Sequence, residues 1–280
     1  MSTIIEKRRV FRQLHERGCF VIPNPWNVGT ARYLQGLGFK ALATTSSGFA
    51  HAMGYRDGAL SRDTVLAHIR EIVAATDLPV NADYEGGYAH EPAGLAESVR
   101  LCIETGVAGL SIEDSTGDPQ NPLYDFDLAL ARVRAARAAI DRAGADVIFT
   151  ARSEGFIRGR PDLAETVRRL KAFAEAGADC LYAPGINTRE EVTAVVQAVA
   201  PKPVNFLMAT AIHFSVNDLT GLGVRRISTG GTLSRVAWNA FVHSAREITE
   251  QGKFESFKGV MGNAELNGFF REDHARRKTP

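Results

Sequence analysis

Short apolar runs and longer amphipathic stretches alternate along the whole chain. Ile4 to Arg17 spaces Ile5, Val10, Phe11 and Leu14 at helical intervals and stops at Gly18. Cys19 to Ile22 follows as a short strand closed by Pro23-Asn24-Pro25-Trp26, and Asn27 caps a helix that runs to Leu37 and leaves through Gly38. Ala41 to Thr44 reads as the second strand, and Thr45-Ser46-Ser47-Gly48-Phe49 after it as a small polar loop. A helix capped by Ser61 runs toward Ala75, and the strand that begins near Leu78 carries Asp83 at its end. Further on, helices are predicted over Pro92 to Glu104, Asp127 to Ala143, Pro161 to Gly177, Thr188 to Val199 and Val216 to Leu222. Between them lie strands at Gly109 to Ile112, Val147 to Thr150, Cys180 to Ala183, Pro203 to Leu207 and Arg226 to Ser228. The chain then reads as helical from Leu233 to Gln251 and onward past Phe257, ending in a polar tail, Arg271 to Pro280, expected to fray.

About eight strands, each followed by a helix, predict an α/β fold of the (β/α)8 TIM-barrel type. A doubly wound sheet is the main competitor, but no Gly-x-Gly-x-x-Gly follows the first strand. No linker or low-complexity stretch divides the chain, so one domain over 1–280 is expected, with 233–280 as its C-terminal helical segment.

Composition narrows the class. The 280 residues carry a net charge of +1, which gives no electrostatic footprint for nucleic acid or an anionic membrane surface. No apolar run approaches the roughly 18 residues of a membrane span, and the N-terminus lacks an apolar signal core. Cys19, Cys102 and Cys180 are far apart and each lies in an apolar segment, which suits buried thiols in a reducing compartment, with the cytoplasm as the expected location.

In a TIM barrel the active site lies at the C-terminal ends of the strands. Those ends read, in order, Ser47-Gly48, Asp83 and Glu85, Glu113-Asp114, Arg152-Ser153-Glu154, Asn205, and Thr229-Gly230-Gly231. The stretch Pro79 to Tyr88 is the richest, because Asp83 and Glu85 end a strand and Gly86-Gly87 let the backbone turn closely around a ligand. Taken alone, it also suits a solvated polar turn. Several acids drawn to one mouth repel each other unless a cation neutralises them, which points to a hard divalent ion such as Mg2+, with Mn2+ as the alternative. Arg152 offers a fork for a carboxylate or phosphoryl group, and a metal beside an arginine suits charge growing on an enolate oxygen. The plain structural alternative is a Glu113–Arg152 salt bridge across the barrel top. His213, the Arg158-Gly-Arg160 pair, Tyr84, Tyr88 and Trp26 lie near the predicted mouth, and packing or a solvated surface accounts for each as readily as chemistry.

Thr-Thr-Ser-Ser-Gly, Asp83-Tyr-Glu-x-Gly-Tyr, Ile-Glu113-Asp114 and Ala-Arg152 occur in the order, spacing and strand context of the isocitrate lyase/phosphoenolpyruvate mutase superfamily, which the chain resembles over essentially its whole length. The resemblance implies an α/β barrel whose last helices pack on or swap with a neighbouring subunit, giving a homo-oligomer, a dimer or tetramer. It implies Mg2+ and a small carboxylate substrate, a 2-oxo or 2-hydroxy acid. Asp83, Glu85 and Glu113 would hold the metal, Glu85 standing where the family usually has aspartate. Arg152 would bind substrate carboxylate and oxo-derived oxygen, with Ser47, Gly48 and Phe49 in the carboxylate-binding loop. Asp57, on the loop after the second strand, and Asn121, in the lid after the fourth, would join Arg152 as catalytic residues.

The departures shape the expected reaction. The lyases of isocitrate and methylisocitrate carry a Lys-Lys/Arg-Cys-Gly-His motif in this lid, whereas Ser115 to Tyr124 has no cysteine, lysine or histidine. That counts against both activities. The expectation is a lyase or decarboxylase working through a metal-stabilised enolate. The alternatives are a phosphonopyruvate mutase or hydrolase, and a catalytically silent member that binds an oxo acid.

Overall fold

The computed structural model describes residues 2–211 and 213–278; Met1, Ile212, Thr279 and Pro280 lie outside the described residues, as does the Lys278 side chain. Eight parallel strands form the barrel: β1 (Phe20–Ile22), β2 (Leu42–Ala43), β3 (Val80–Asp83), β4 (Gly109–Glu113), β5 (Ile148–Arg152), β6 (Cys180–Tyr182), β7 (Val204–Leu207) and β8 (Arg226–Ser228). Their order around the sheet is β1-β8-β7-β6-β5-β4-β3-β2. The remaining seam, between β1 and β2, is drawn together at its upper end. Ala43 N donates to Pro23 O at 3.1 Å, and Asn24 Nδ2 donates to Thr44 O at 2.8 Å. Asn24 Oδ1 also accepts from the backbone N–H groups of Thr229 and Gly230 at 3.0 and 2.9 Å, so this one amide ties the exits of β1, β2 and β8.

Each strand alternates between its two faces. Outward residues such as Leu42, Ala82, Leu110, Phe149, Leu181 and Phe206 pack under the surrounding helices in the main core. Inward residues change character from bottom to top. Phe20, Ala41, Ile148 and Cys180 form a second, apolar cluster at the base with Phe11. Phe11 comes from α1 (Ile4–Glu16), whose start is fixed by a Thr3/Glu6 capping box and which closes the barrel floor. Gly109 has to be small here, because a Cβ would sit 2.6 Å from the Phe11 ring.

The helices around the strands are α2 (Val28–Gly36), α3 (Ser46–Ala52), α4 (Arg62–Ala75), α5 (Pro92–Ile103), α6 (Phe126–Arg142), α7 (Leu163–Glu175), α8 (Arg189–Val199), α9 (Val216–Gly221), α10 (Thr232–Gln251) and α11 (Asn263–Lys278). Three expectations need correction. The stretch expected as a polar loop after β2 is α3, started by Thr45, whose hydroxyl accepts from Gly48 N at 3.2 Å. The tail expected to fray is α11 through Lys278. It docks on α2 of the same chain, with the Tyr33 and Phe269 rings 4.5 Å apart and Asp273 buried between Arg277 and Arg32. The continuous helix expected past Phe257 is broken at Gly252, which adopts φ 63°. Among the described residues, no helix is long and apolar enough to cross a membrane, and all three cysteines are free.

Candidate active site

Register and alternation bring the charged residues together. Glu113 lies opposite Arg152 across β4 and β5, Asp83 opposite Ser111, and Arg152 opposite Tyr182, so Asp83, Glu113, Arg152 and Tyr182 crown the barrel interior. They line a cavity of about 190 Å3 together with Asn24, Ser46, Ser47, Asp57 and Glu154. An outer vestibule of about 630 Å3 shares Ser46, Asp57, Glu113 and Arg158 with it and adds Glu85 and Tyr88.

Arg152 is the hub. Its NH1 lies 2.9 Å from Asp83 Oδ1, its NH2 3.2 Å from Glu113 Oε1 and its Nε 2.8 Å from Glu154 Oε1. Its guanidinium also lies over the Tyr182 ring at 4.7 Å. Burial works against the charge of Arg152, but Glu113, Glu154, Tyr182 and Asp83 outweigh it and hold the guanidinium firmly protonated. The Glu113–Arg152 salt bridge therefore exists, as one arm of a larger network. Burial raises the carboxyl pKa of Glu113 and of Glu154, and the repulsion of nearby acids adds to it. Arg158 is the second cation, with NH2 3.2 Å from Glu113 Oε2 and Nε 3.9 Å from Glu154 Oε2, an atom that makes no hydrogen bond.

Glu85 sits beyond this ring of charges. Burial pushes its pKa up to about 7, with Asp83, Glu113 and Asp57 adding repulsion and the Tyr88 hydroxyl, which donates to Oε1 at 2.6 Å, opposing them. Glu85 and Tyr88 both adopt left-handed backbone, φ 47° and 58°. Such conformations cost on the order of 1 kcal/mol each and persist where surroundings impose them. The constraint comes from the buried Arg132, whose guanidinium donates to the carbonyls of Gly86, Ala89 and His90.

Among the described residues, no three His, Cys, Asp or Glu side chains stand close enough to enclose a metal ion. The donor chemistry nevertheless fits Mg2+, which keeps several waters and needs only one or two carboxylates. Asp83, Glu85, Glu113 and Asp57 are all hard oxygen donors, and their repulsion at Glu85 is what a divalent cation would relieve.

The expected residues fall into two groups. Arg152, Asp83, Glu113, Asp57 and Ser47 line the inner cavity, and Glu85 lines the vestibule. Gly48, Phe49 and Asn121 line neither. Gly48 is buried because a Cβ there would lie 2.6 Å from Thr45 Cγ2 and 3.2 Å from Trp26 Cβ. Phe49 turns outward on α3 and stacks on His68 with ring centroids 3.7 Å apart. Asn121 stands exposed at the lid tip, its carbonyl accepting from Thr116 Oγ1. Asp114 also leaves the mouth, since it follows Glu113 and faces the other way, accepting from Arg169 NH1 at 3.0 Å and Glu154 N at 2.8 Å. Tyr84 packs in the core with its hydroxyl 2.9 Å from Ser98 Oγ, and exposed His213 lines neither cavity.

Asn24, Tyr182 and Arg226 are among the lining residues not singled out from the sequence. The period-2 alternation of β6 and β8 carried the signal for the last two. Arg226 crosses the barrel below the mouth, donating to Asn205 Oδ1 at 2.8 Å and Thr150 Oγ1 at 2.9 Å.

Comparison with known proteins gives a consistent picture. A family model described as phosphoenolpyruvate phosphomutase matches residues 11–249. An uncharacterized protein of Mycobacterium tuberculosis is 33% identical over 244 residues, covering 86% of this chain and 89% of that protein. Oxaloacetate decarboxylase of Paraburkholderia xenovorans is 30% identical over 261 residues, covering 88% and 83%. Among solved structures, a candidate lyase/mutase of Burkholderia cenocepacia superposes with a TM-score of 0.93 at 43% identity, covering 96% of this chain and 97% of that one.

Proposed function

The chain belongs to the phosphoenolpyruvate phosphomutase family, within the isocitrate lyase/phosphoenolpyruvate mutase superfamily of enzymes, and from that premise we propose a Mg2+-dependent lyase or decarboxylase that acts on a small 2-oxo or 2-hydroxy carboxylic acid through an enolate. The observation that carries this reading is Arg152, a buried guanidinium ringed by Asp83, Glu113 and Glu154 at the cavity of about 190 Å3.

Asp83, Glu85 and Glu113 would hold the metal, directly or through water. When bound, Mg2+ supplies Lewis-acid stabilisation of negative charge on the substrate's oxo-derived oxygen. Arg152 receives the substrate oxygens, which compete with Asp83 and Glu113 for its two terminal nitrogens. As the carbon–carbon bond breaks, charge collects on the oxygen nearest this guanidinium, so its stabilisation grows toward the transition state. Ser47 orients the carboxylate. Gly231 makes room for it, since a Cβ there would stand 2.5 Å from Ser47 Oγ. Asp57 stands where the cavity opens to the vestibule, and the lid that carries Asn121 would close over the mouth to exclude water.

The enzyme is proposed to work in the cytoplasm, in keeping with its free thiols, and as a homo-oligomer. Val236, Phe241, Phe254 and Val260 are exposed by 61, 62, 58 and 65%, which favours their burial against a second copy.

The test is proton and phosphorus NMR of oxaloacetate, substituted malates and phosphonopyruvate incubated with the enzyme and Mg2+. The expected result is loss of one carboxylic acid that stops on chelation and in Asp83→Asn. A phosphorus shift without carbon–carbon cleavage would replace this reading with phosphonate chemistry, and no turnover of any acid would contradict it.

A further inference from the structure

Among the described residues, three arginines line the inner cavity, and one of them, Arg158, also borders the vestibule. Arg152 has each of its three guanidinium nitrogens against a carboxylate, at 2.9, 3.2 and 2.8 Å. Arg226 is 3% exposed and has Asn205, Thr150 and His15 against its three nitrogens, at 2.8, 2.9 and 3.3 Å. Arg158 differs from both. Its side chain is 40% exposed and, among the described residues, makes one hydrogen bond, from NH2 to Glu113 Oε2, while its Nε stands 3.9 Å from Glu154 Oε2. It is carried on the connection between β5 and α7, six residues after Arg152, so the end of β5 and the turn that follows place the two guanidinium groups on either side of Glu113.

We propose that Arg158 is a specificity-determining residue, the receptor for a second carboxylate on the substrate, so that the site selects dicarboxylates over monocarboxylates. This rests on the oxo- or hydroxy-acid reading above and names the substrate class within it. Arg152, committed to three acids, grips the end of the molecule where bonding changes. The distal end then points outward through the opening that Arg158 borders. There a carboxylate meets a guanidinium with donors to spare, and a methyl group leaves those donors facing an apolar partner. A site built to bond a polar group discriminates strongly against the analogue that lacks it, while an apolar site discriminates weakly against the added group. Arginine suits the task because its fork matches both oxygens of a carboxylate. The neighbouring Arg160 is exposed and lines neither cavity, which makes it the internal control.

The experiment compares malate with 2-hydroxybutyrate, a pair that differ in carrying a carboxylate or a methyl group at the distal carbon. Ligand-observed NMR titration in Mg2+ gives the Kd of each and shows at once whether either is turned over. Wild type is expected to bind malate at least about tenfold more tightly, the scale of one charge-assisted contact. Arg158→Gln should erase that preference by weakening malate alone, Arg158→Lys should restore part of it, and Arg160→Gln should leave it intact. Equal affinity of wild type for the two acids would overturn the role of Arg158 while leaving the acid site standing. Equal weakening of both acids in Arg158→Gln would also overturn it, showing that Arg158 acts through Glu113. Binding of neither acid by wild type would overturn the acid-site reading itself, and this inference with it.

Discussion

The two ends of the barrel are built by the same strands and work in opposite ways. At the floor, inward side chains are apolar and tightly filled: Phe11 and Cys180 are fully buried, and Phe20 meets Phe11 edge-on with ring centroids 6.3 Å apart. Four residues beyond Ile148 on β5 and two beyond Cys180 on β6, the inward positions hold Arg152 and Tyr182, which with Asp83 and Glu113 surround open space. β5 shows the gradient in one strand, from Ile148 through Thr150 to Arg152. The floor gains stability from packing. The mouth holds several buried ionisable groups whose desolvation cost is only partly offset by pairing, as the raised carboxyl pKa values of Glu85, Glu113 and Glu154 show. Stability and chemistry are thus separated by about two strand positions, and substitutions should separate them too.

The largest contrast comes from Arg152→Met and Phe11→Ala. Removing Arg152 leaves three carboxylates without their shared cation and takes away the charge that faces the substrate, so kcat/KM is expected to fall by about 10³ or more. Phe11→Ala should cost about 3–5 kcal/mol in urea unfolding through the cavity it opens at the floor, with kcat per folded molecule unchanged. If Phe11→Ala instead lowered kcat at full folding, the ends would be coupled and the comparison would fail.

A smaller effect is expected at the mouth from Gly231→Ala. Its Cβ would press on Ser47 Oγ from 2.5 Å, so KM should rise about tenfold with little change in melting temperature. An unchanged KM would remove Ser47 from substrate binding.

The smallest effect is in pH. Glu85 is held with its pKa raised to about 7 in the folded state, chiefly by burial, against an ordinary value of 4.5. The folded protein therefore holds a proton that the unfolded chain releases first. The associated stability is complete below the ordinary carboxylate range and is lost as pH rises toward and through about 7. Differential scanning calorimetry of metal-free protein should show the melting temperature falling over that interval, with a flatter profile in Glu85→Gln.

Much of this site was legible because strand alternation and strand ends are sequence properties. Asp83, Glu113 and Arg152 each end a strand, so a barrel of any detail brings them to one rim. The same rule turns Asp114 outward and Tyr182 inward, as the structure has them. Other features have no local signal. α3 is seven residues long with a glycine in its middle, too short to show a helical period, and its face decides that Ser47 looks into the cavity while Phe49 looks away. Asn24 lies between two prolines and gains its role only when residues about 20 and 205 positions away arrive beside it. α11 has a weak amphipathic pattern, and its order comes from Phe269 and Asp273 meeting α2, contacts that no window of sequence contains.

Oxalate binding tests the metal-dependent acid site at the barrel mouth most directly, because oxalate imitates the charge of an enolate acid without reacting. Isothermal titration calorimetry would be run on wild type and on Asp83→Asn, each with Mg2+ and after chelation. Binding to wild type is expected to depend on Mg2+ and to be lost in Asp83→Asn. Oxalate that binds equally well after chelation, or equally well to Asp83→Asn, would contradict it and leave the acids at the barrel mouth as a structural network around Arg152.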